Sequence, residues 1–509
     1  LTLTPAGPNV HLRAAVARRN PGRRAMRCAL LLAAAVASGL LLGGCATRPI
    51  NPPIAHADSH SGYRLETRPP RGGAPDTLII LAFSGGGTRA AAFSYGVLEE
   101  LRRTQVVMDG KPVRLLDEVD IITGVSGGSF TALAYGLYGE ELFSEYEQSF
   151  LKRNVQGELI GRFLSPANWG ALYSENWGRS EMAAQLYDDI LFHHATFADL
   201  QKKPGPLILV TATDISTGSR LGFVQGEFDL ICSNLSEVPL SRAAAASSAV
   251  PLVLSPVTIN NYGGTCGHRL PAWSDALLDP KNPSRPAGRA LTRLKELESF
   301  QDSKDRPYLH LVDGGLSDNL GLRALLESLE QIEASEQYRR ATKINKLKRI
   351  VVFVVNSLSI PETDWDQHER PPNDFEILLK ATGVPIDRYS YEAVELLKDI
   401  IFRWKEVRAL RAAGAFANAG NAALARAADV PDIDLYAIDV SFPELENKDE
   451  QRYLNDLPTS FVLSDEAVDR LRAAAGEIIR ESPEFQRLLK DLSAPPAQAV
   501  ASPVPNAGH

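Results

Sequence analysis

Residues 77–89 read TLIILAFSGGGTR. The first seven are a short continuous apolar run, the pattern of a strand buried on both faces. Three glycines follow, and then a helical stretch through Arg102. A strand that ends in a glycine loop and restarts as a helix is the opening unit of an α/β fold. Gly85, Gly86, Gly87 and Thr88 let the backbone curl until successive N–H groups face one point. Such donors suit the oxyanion of a tetrahedral acyl-transfer intermediate. A phosphate loop of the GxxxxGK[ST] type is absent, and a dinucleotide fingerprint wants a glycine where Ala90 stands.

The same punctuation recurs along the chain. Glu118–Thr123, Pro206–Asp214, Tyr308–Val312 and Arg349–Asn356 are strand-like, and Leu435–Phe442 reads as one more. Helical patterns separate them, which predicts a mostly parallel sheet with helices on both faces. Ligands of such sheets bind at the carboxyl ends of the strands. Residues 376–428 are alanine-rich and helical in pattern. Ser464 can cap a helix with Val468, Leu471, Ala475 and Ile478 on its apolar face, and Ser482-Pro483 opens another.

Gly124-Val125-Ser126-Gly127-Gly128 fits G-x-S-x-G, a sharp strand-to-helix turn that projects the serine hydroxyl. Gly124 and Gly128 crowd each other there, and the following helix directs its positive end at the site. The competing reading is an ordinary glycine turn, but a strand pattern precedes the motif and a helix pattern follows it. A serine hydroxyl needs a base. Of nine histidines, only His368, in a polar loop, fits a Ser…His order. Asp313, followed by Gly314 and Gly315, ends an apolar strand and offers a carboxylate instead. Asp214, also at a strand end, is the second carboxylate to weigh.

The loop 85–88, the serine motif and the D-G-G motif, in this order, resemble the patatin-like phospholipase family. Ala212-Thr213-Asp214 and Ala245 to Pro251 resemble it too, and the likeness covers roughly residues 77–325. The resemblance implies a three-layer α/β/α fold with a mostly parallel sheet, extended by a helical and α/β C-terminal region. It implies a Ser126–Asp313 dyad without histidine, oxyanion donors at Gly85 to Thr88, and hydrolysis of phospholipid or other acyl-ester lipids with no metal or cofactor. A transacylase with the same dyad and a non-catalytic lipid-binding lipoprotein remain open alternatives. Ala90 departs from the glycine many members carry.

Residues 1–44 hold six arginines, no acids and the apolar run Ala29–Leu42, the pattern of an export signal with Met26 as start. Leu42-Gly43-Gly44-Cys45 resembles a bacterial lipobox, which implies acylation of Cys45 and attachment to a membrane of the cell envelope, with Ala46 permitting the outer membrane. Residues 28–47 carry no charge, so an uncleaved membrane anchor is the alternative. Residues 45–76 hold six prolines and three glycines and read as a polar tether about 30 Å in mean reach. The expected units are therefore 1–44 (upstream residues and signal), 45–76 (lipidated cysteine and tether), 77–325 (catalytic), 326–492 (an extension packed on it) and 493–509 (a disordered tail).

The 509 residues are 44% hydrophobic with net charge −8, a balance that gives no basis for nucleic-acid binding. Cys232 and Cys266 are candidates for a disulfide after export, with two free thiols as the alternative. Nothing in the sequence specifies an oligomeric state.

Overall fold

The computed structural model describes residues 46–69, 75–108, 110–172, 174, 177–270, 274, 288–360, 363–416 and 429–493. The expectations for the export signal, Met26, Cys45 and the tail beyond 493 lie outside them. Among the described residues no helix is long and apolar enough to cross a membrane.

An eight-stranded sheet organises the chain. Its strands are β1 (Thr77–Phe83), β4 (Ile121–Val125), β5 (Leu207–Asp214), β6 (Arg220–Gly222), β7 (Val257–Asn260), β8 (Tyr308–Val312), β9 (Arg349–Asn356) and β10 (Asp434–Ser441). A separate hairpin joins β2 (Gln105–Met108) to β3 (Lys111–Arg114). The sheet order is β10-β9-β1-β4-β5-β8-β7, with β6 paired to β5. β10, β9, β1, β4 and β5 run parallel, while β6, β7 and β8 pair antiparallel.

Alternation along the central strands assigns the two faces. Ile79, Leu81 and Phe83 of β1 and Val351, Phe353 and Val355 of β9 enter one core. Ile80 and Ala82, with Ile350, Val352 and Val354, enter the other. Both faces are thus covered by helices, which is why these strands read as unbroken apolar runs. The helices used below are α1 (Gly87–Arg103), α2 (Gly127–Tyr138), α3 (Val155–Leu164), α4 (Pro166–Leu172), α5 (Leu240–Ser247), α6 (Asp374–Ala412) and α7 (Asp465–Glu481). Ser464 caps α7 by accepting the Ala467 N–H, and Val468, Leu471, Ala475 and Ile478 are buried on it.

Two expectations need correction. The region after residue 325 is not a unit laid on a finished domain. It supplies β9 and β10 to the same sheet, and α7 packs on α1, where Gly96 lets the Arg472 backbone approach. Nor are residues 46–69 a free tether. Asn51 and Tyr63 are buried, Tyr63 Oη accepts the Ile208 N–H, and Arg64 pairs with Asp229 at 2.6 Å. Arg68 donates to the carbonyls of Leu200, Gly205 and Pro206. Arginine-to-carbonyl and backbone contacts fix this segment in place of an apolar core of its own.

Candidate active site

The serine motif forms the turn its glycines predict. β4 ends at Val125, α2 begins at Gly127, and Ser126 between them holds φ 47° and ψ −118°. A non-glycine residue there is strained, and the surrounding contacts over-determine it. A Cβ on Gly128 would lie 2.6 Å from the Ser84 carbonyl oxygen, and one on Gly124 2.8 Å from the Ser129 Cα. Both glycines are therefore needed for close approach. The Ser126 N–H donates to Ser247 Oγ at 2.8 Å.

Asp313 arrives by an unexpected route. β8 overlaps β5 at Thr213↔Val312 and Asp214↔Leu311 and runs antiparallel to it. The chain therefore enters along β8 from beyond the carboxyl end of β5 and delivers Asp313 to the edge where Ser126 stands. Gly314 permits this, since a Cβ there would lie 2.4 Å from the Thr211 carbonyl oxygen. The Asp313 N–H donates to the Ala249 carbonyl and the Gly314 N–H to that of Ser247. The stretch 245–251 thus holds both the serine and the D-G-G turn.

Ser126 Oγ donates to Asp313 Oδ2 at 2.8 Å, and the Gly315 N–H donates to Asp313 Oδ1 at 2.8 Å. Ser126 and Asp313 are both buried. Burial raises the Asp313 pKa to about 6, opposed by the hydrogen bonds from Gly315 and Ser126. Desolvation penalises the carboxylate and so makes it a stronger base than a free aspartate. Asp214 faces elsewhere, bound to Arg306 and Thr217. His368 is exposed and bonded to the Asp364 carbonyl.

The glycine loop divides into used and open donors. The Gly85 N–H donates to the Asn319 carbonyl at 3.0 Å, and the Thr88 N–H to the Ser460 carbonyl at 2.8 Å. Among the described residues, the N–H groups of Gly86, Gly87 and Gly127 have no protein acceptor. A Cβ on Gly127 would lie 2.0 Å from the Gly87 oxygen, so these backbones touch. Two of the four N–H groups at Gly85 to Thr88 are thus engaged within the protein, and those of Gly86 and Gly87 stay open, with that of Gly127 beside them. Arg89 is buried below the loop and donates to the carbonyls of Ser357 and Leu457 and to Thr459 Oγ1. Burial lowers its pKa to about 10.

Neither Asn319 nor Ser460 is marked by any motif in the sequence. Both act through backbone carbonyls, which leave no side-chain signature. Ser247 was legible only as part of the 245–251 stretch. Cys232 and Cys266 form a disulfide with Cα atoms 5.5 Å apart, and their carbonyls accept the N–H groups of Ile54 and Ala57. Among the described residues no group of three His, Cys, Asp or Glu is placed to hold a metal.

A mostly parallel α/β sheet, a strained serine between strand and helix, and a buried carboxylate bonded to it define an α/β protein with a hydrolase-type site. Residues 81–326 match the model of the patatin-like phospholipases, and this part of the chain is a patatin-like phospholipase domain, a family of lipid hydrolases. No curated protein matches the chain. Human GIVD cytosolic phospholipase A2 is similar in structure at 12% identity and TM-score 0.44, covering 90% of this chain and 65% of that one. The same human protein in complex with methyl gamma-linolenyl fluorophosphonate gives 12% identity, TM-score 0.39, and 90% and 62%. This chain thus spans just under two thirds of those proteins' length.

Proposed function

We propose that this chain is a serine acyl hydrolase acting on phospholipids or related acyl esters through Ser126 and Asp313. The observation that carries the reading is the 2.8 Å bond from Ser126 Oγ to Asp313 Oδ2 in a buried site. Ser126 Oγ attacks the ester carbonyl carbon while Asp313 takes its proton. The N–H groups of Gly86, Gly87 and Gly127 receive the oxyanion. Collapse of the intermediate expels the alcohol, which takes the proton back from Asp313. Asp313 next deprotonates a water, which attacks the acyl-serine and releases the fatty acid, and Ser126 recovers its proton. The sequence LGGC at 42–45 supports export and attachment to a bacterial envelope membrane through acylated Cys45.

The test is hydrolysis of a defined lipid panel, with fluorophosphonate labelling alongside. Ser126→Ala should lose both, and Asp313→Asn should lose turnover by at least about 10⁴-fold, as loss of a triad member does elsewhere. An active Ser126→Ala protein overturns the reading.

A further inference from the structure

Asn319 stands between the two halves of the site. It follows the short helix Gly315–Asp318 that continues the D-G-G turn. Its backbone carbonyl accepts the Gly85 N–H at 3.0 Å, which ties it to the glycine loop. A Cβ on Gly85 would lie 2.4 Å from Asn319 Oδ1 and 3.3 Å from Ser126 Cβ. A Cβ on Gly315 would lie 3.0 Å from the same Oδ1 and 3.1 Å from Asp313 Oδ1. The two glycines thus leave the room that the carboxamide occupies, close to both the nucleophile and its base.

That carboxamide is free. Among the described residues it has no hydrogen-bond partner. Other polar groups around the dyad are committed, Ser247 Oγ to the Ser126 N–H and the Gly315 N–H to Asp313. A carboxamide carries two N–H donors and an acceptor, and with no partner on either atom it can turn its donors to the dyad. Asn319 is half-buried and with Gly315 borders a cavity of about 550 Å³, so the residue is not sealed into the core.

Its position meets a need of the proposed reaction. The open N–H groups of Gly86 and Gly87 take the carbonyl oxygen. The departing alcohol oxygen has to approach Asp313, which holds the proton it requires. That oxygen gathers negative charge as its bond to carbon breaks, and a donor beside it stabilises the transition state. Asn319 supplies a free donor where the D-G-G turn meets the glycine loop.

We infer, on the dyad reading proposed above, that Asn319 is a further catalytic residue whose Nδ2 hydrogen-bonds the leaving alcohol oxygen of the ester. The electron pair of the breaking C–O bond goes to that oxygen, and Asp313 gives it the proton. Asn319 contributes a hydrogen bond and transfers no proton. Two esters of one fatty acid, an alkyl ester and a para-nitrophenyl ester, separate this role from a structural one. Nitrophenolate leaves as a stable anion and needs little help, whereas an alkoxide needs much. Asn319→Ala should lower kcat/KM on the alkyl ester about 10²-fold, the effect of one lost donor, and on the nitrophenyl ester less than about threefold. Asn319→Leu keeps the volume without the N–H groups and should give the same split. Both variants keep the backbone carbonyl that holds Gly85. Equal losses on the two esters, or none on either, overturn the assignment. Ser126→Ala run alongside tests the reading beneath it. Activity there removes the dyad, whereas an inactive Ser126→Ala protein with no split between the esters removes the Asn319 role alone.

Discussion

The carbonyl oxygen of Ser460 accepts the backbone N–H of Thr88 at 2.8 Å, so a segment near the end of the chain closes the glycine loop. Gly87, one residue earlier, holds φ +60°, and a Cβ there would lie 2.3 Å from the same oxygen. Gly87→Ala must therefore displace either the loop or residue 460. The expected outcome is a fall in kcat of about 10²–10³-fold, the usual effect of losing one oxyanion donor. Steady-state kinetics on a soluble ester measures it, and an unchanged kcat would move the oxyanion donors off this loop.

In the proposed mechanism Asp313 sets the acid limb of activity. With its pKa raised to about 6 by burial, the carboxylate that accepts the Ser126 proton is lost as pH falls through that value. The rate on a monomeric ester should be level above neutrality and drop about tenfold per pH unit below about 6. A limb centred near 4 would mean that the buried carboxyl titrates like a free one.

The same shift predicts a pH-dependent stability. The folded pKa, about 6, lies above the ordinary 3.8. Asp313 therefore binds its proton more tightly in the folded chain, and its favourable contribution, full below 3.8, is lost as pH rises through 6. At neutral pH the buried carboxylate costs up to about 3 kcal/mol. Asp313→Asn should be more stable than wild type at pH 8, with the advantage gone near pH 4. Urea midpoints at the two pH values decide it, and an equal advantage at both would rule out ionisation as the cause.

The fold was legible where physics acts locally. β1 and β9 occupy the residues their apolar runs predict, because a strand covered on both faces has no polar alternation to blur it. β8 also forms where expected, with Leu309 and Leu311 buried and Tyr308 and His310 exposed. β4 was expected at 118–123 but forms at Ile121–Val125, since Leu115–Glu118 takes a 3₁₀ turn first. β6 and β7, at three and four residues, are too short to show a period. Strand direction was not legible for β8. Alternation of strands and helices implies parallel pairing, yet direction depends on how the chain re-enters the sheet. The proline-rich composition of residues 46–76 hid an ordered segment because its fastening is by arginine and backbone bonds, which composition does not register.

Ser247 offers a test of positioning apart from chemistry. Its Oγ accepts the Ser126 N–H at 2.8 Å and so helps to hold the strained elbow. Ser247→Ala leaves that N–H buried without its acceptor, at about 1–3 kcal/mol. The expected outcome is a lower thermal midpoint and kcat reduced about tenfold with KM unchanged, while fluorophosphonate still labels Ser126. Full activity would show that the turn is held by its glycines alone.

The family match stops at residue 326, but β1 pairs along its whole length with β9, and β9 with β10. A chain cut after 326 would expose the β1 edge and the apolar faces of β1 and α1 that β9 and α7 cover, which invites aggregation. Such a chain should be insoluble or lack a cooperative unfolding transition. A point change tests the same interface without truncation. A Cβ on Gly96 would lie 2.5 Å from the Arg472 carbonyl oxygen, which is backbone and cannot swing aside. Gly96→Val should therefore force α7 off α1 and break the ion pairs of Arg472 with Glu99 and of Arg480 with Glu100. Overpacking of this kind costs about 1–3 kcal/mol or more, and it should lower turnover as well, because α7 and the Ser460 carbonyl belong to one stretch of chain. Denaturation and activity assays on the variant measure both effects. A variant as stable and as active as wild type would show that the C-terminal region is dispensable to the site.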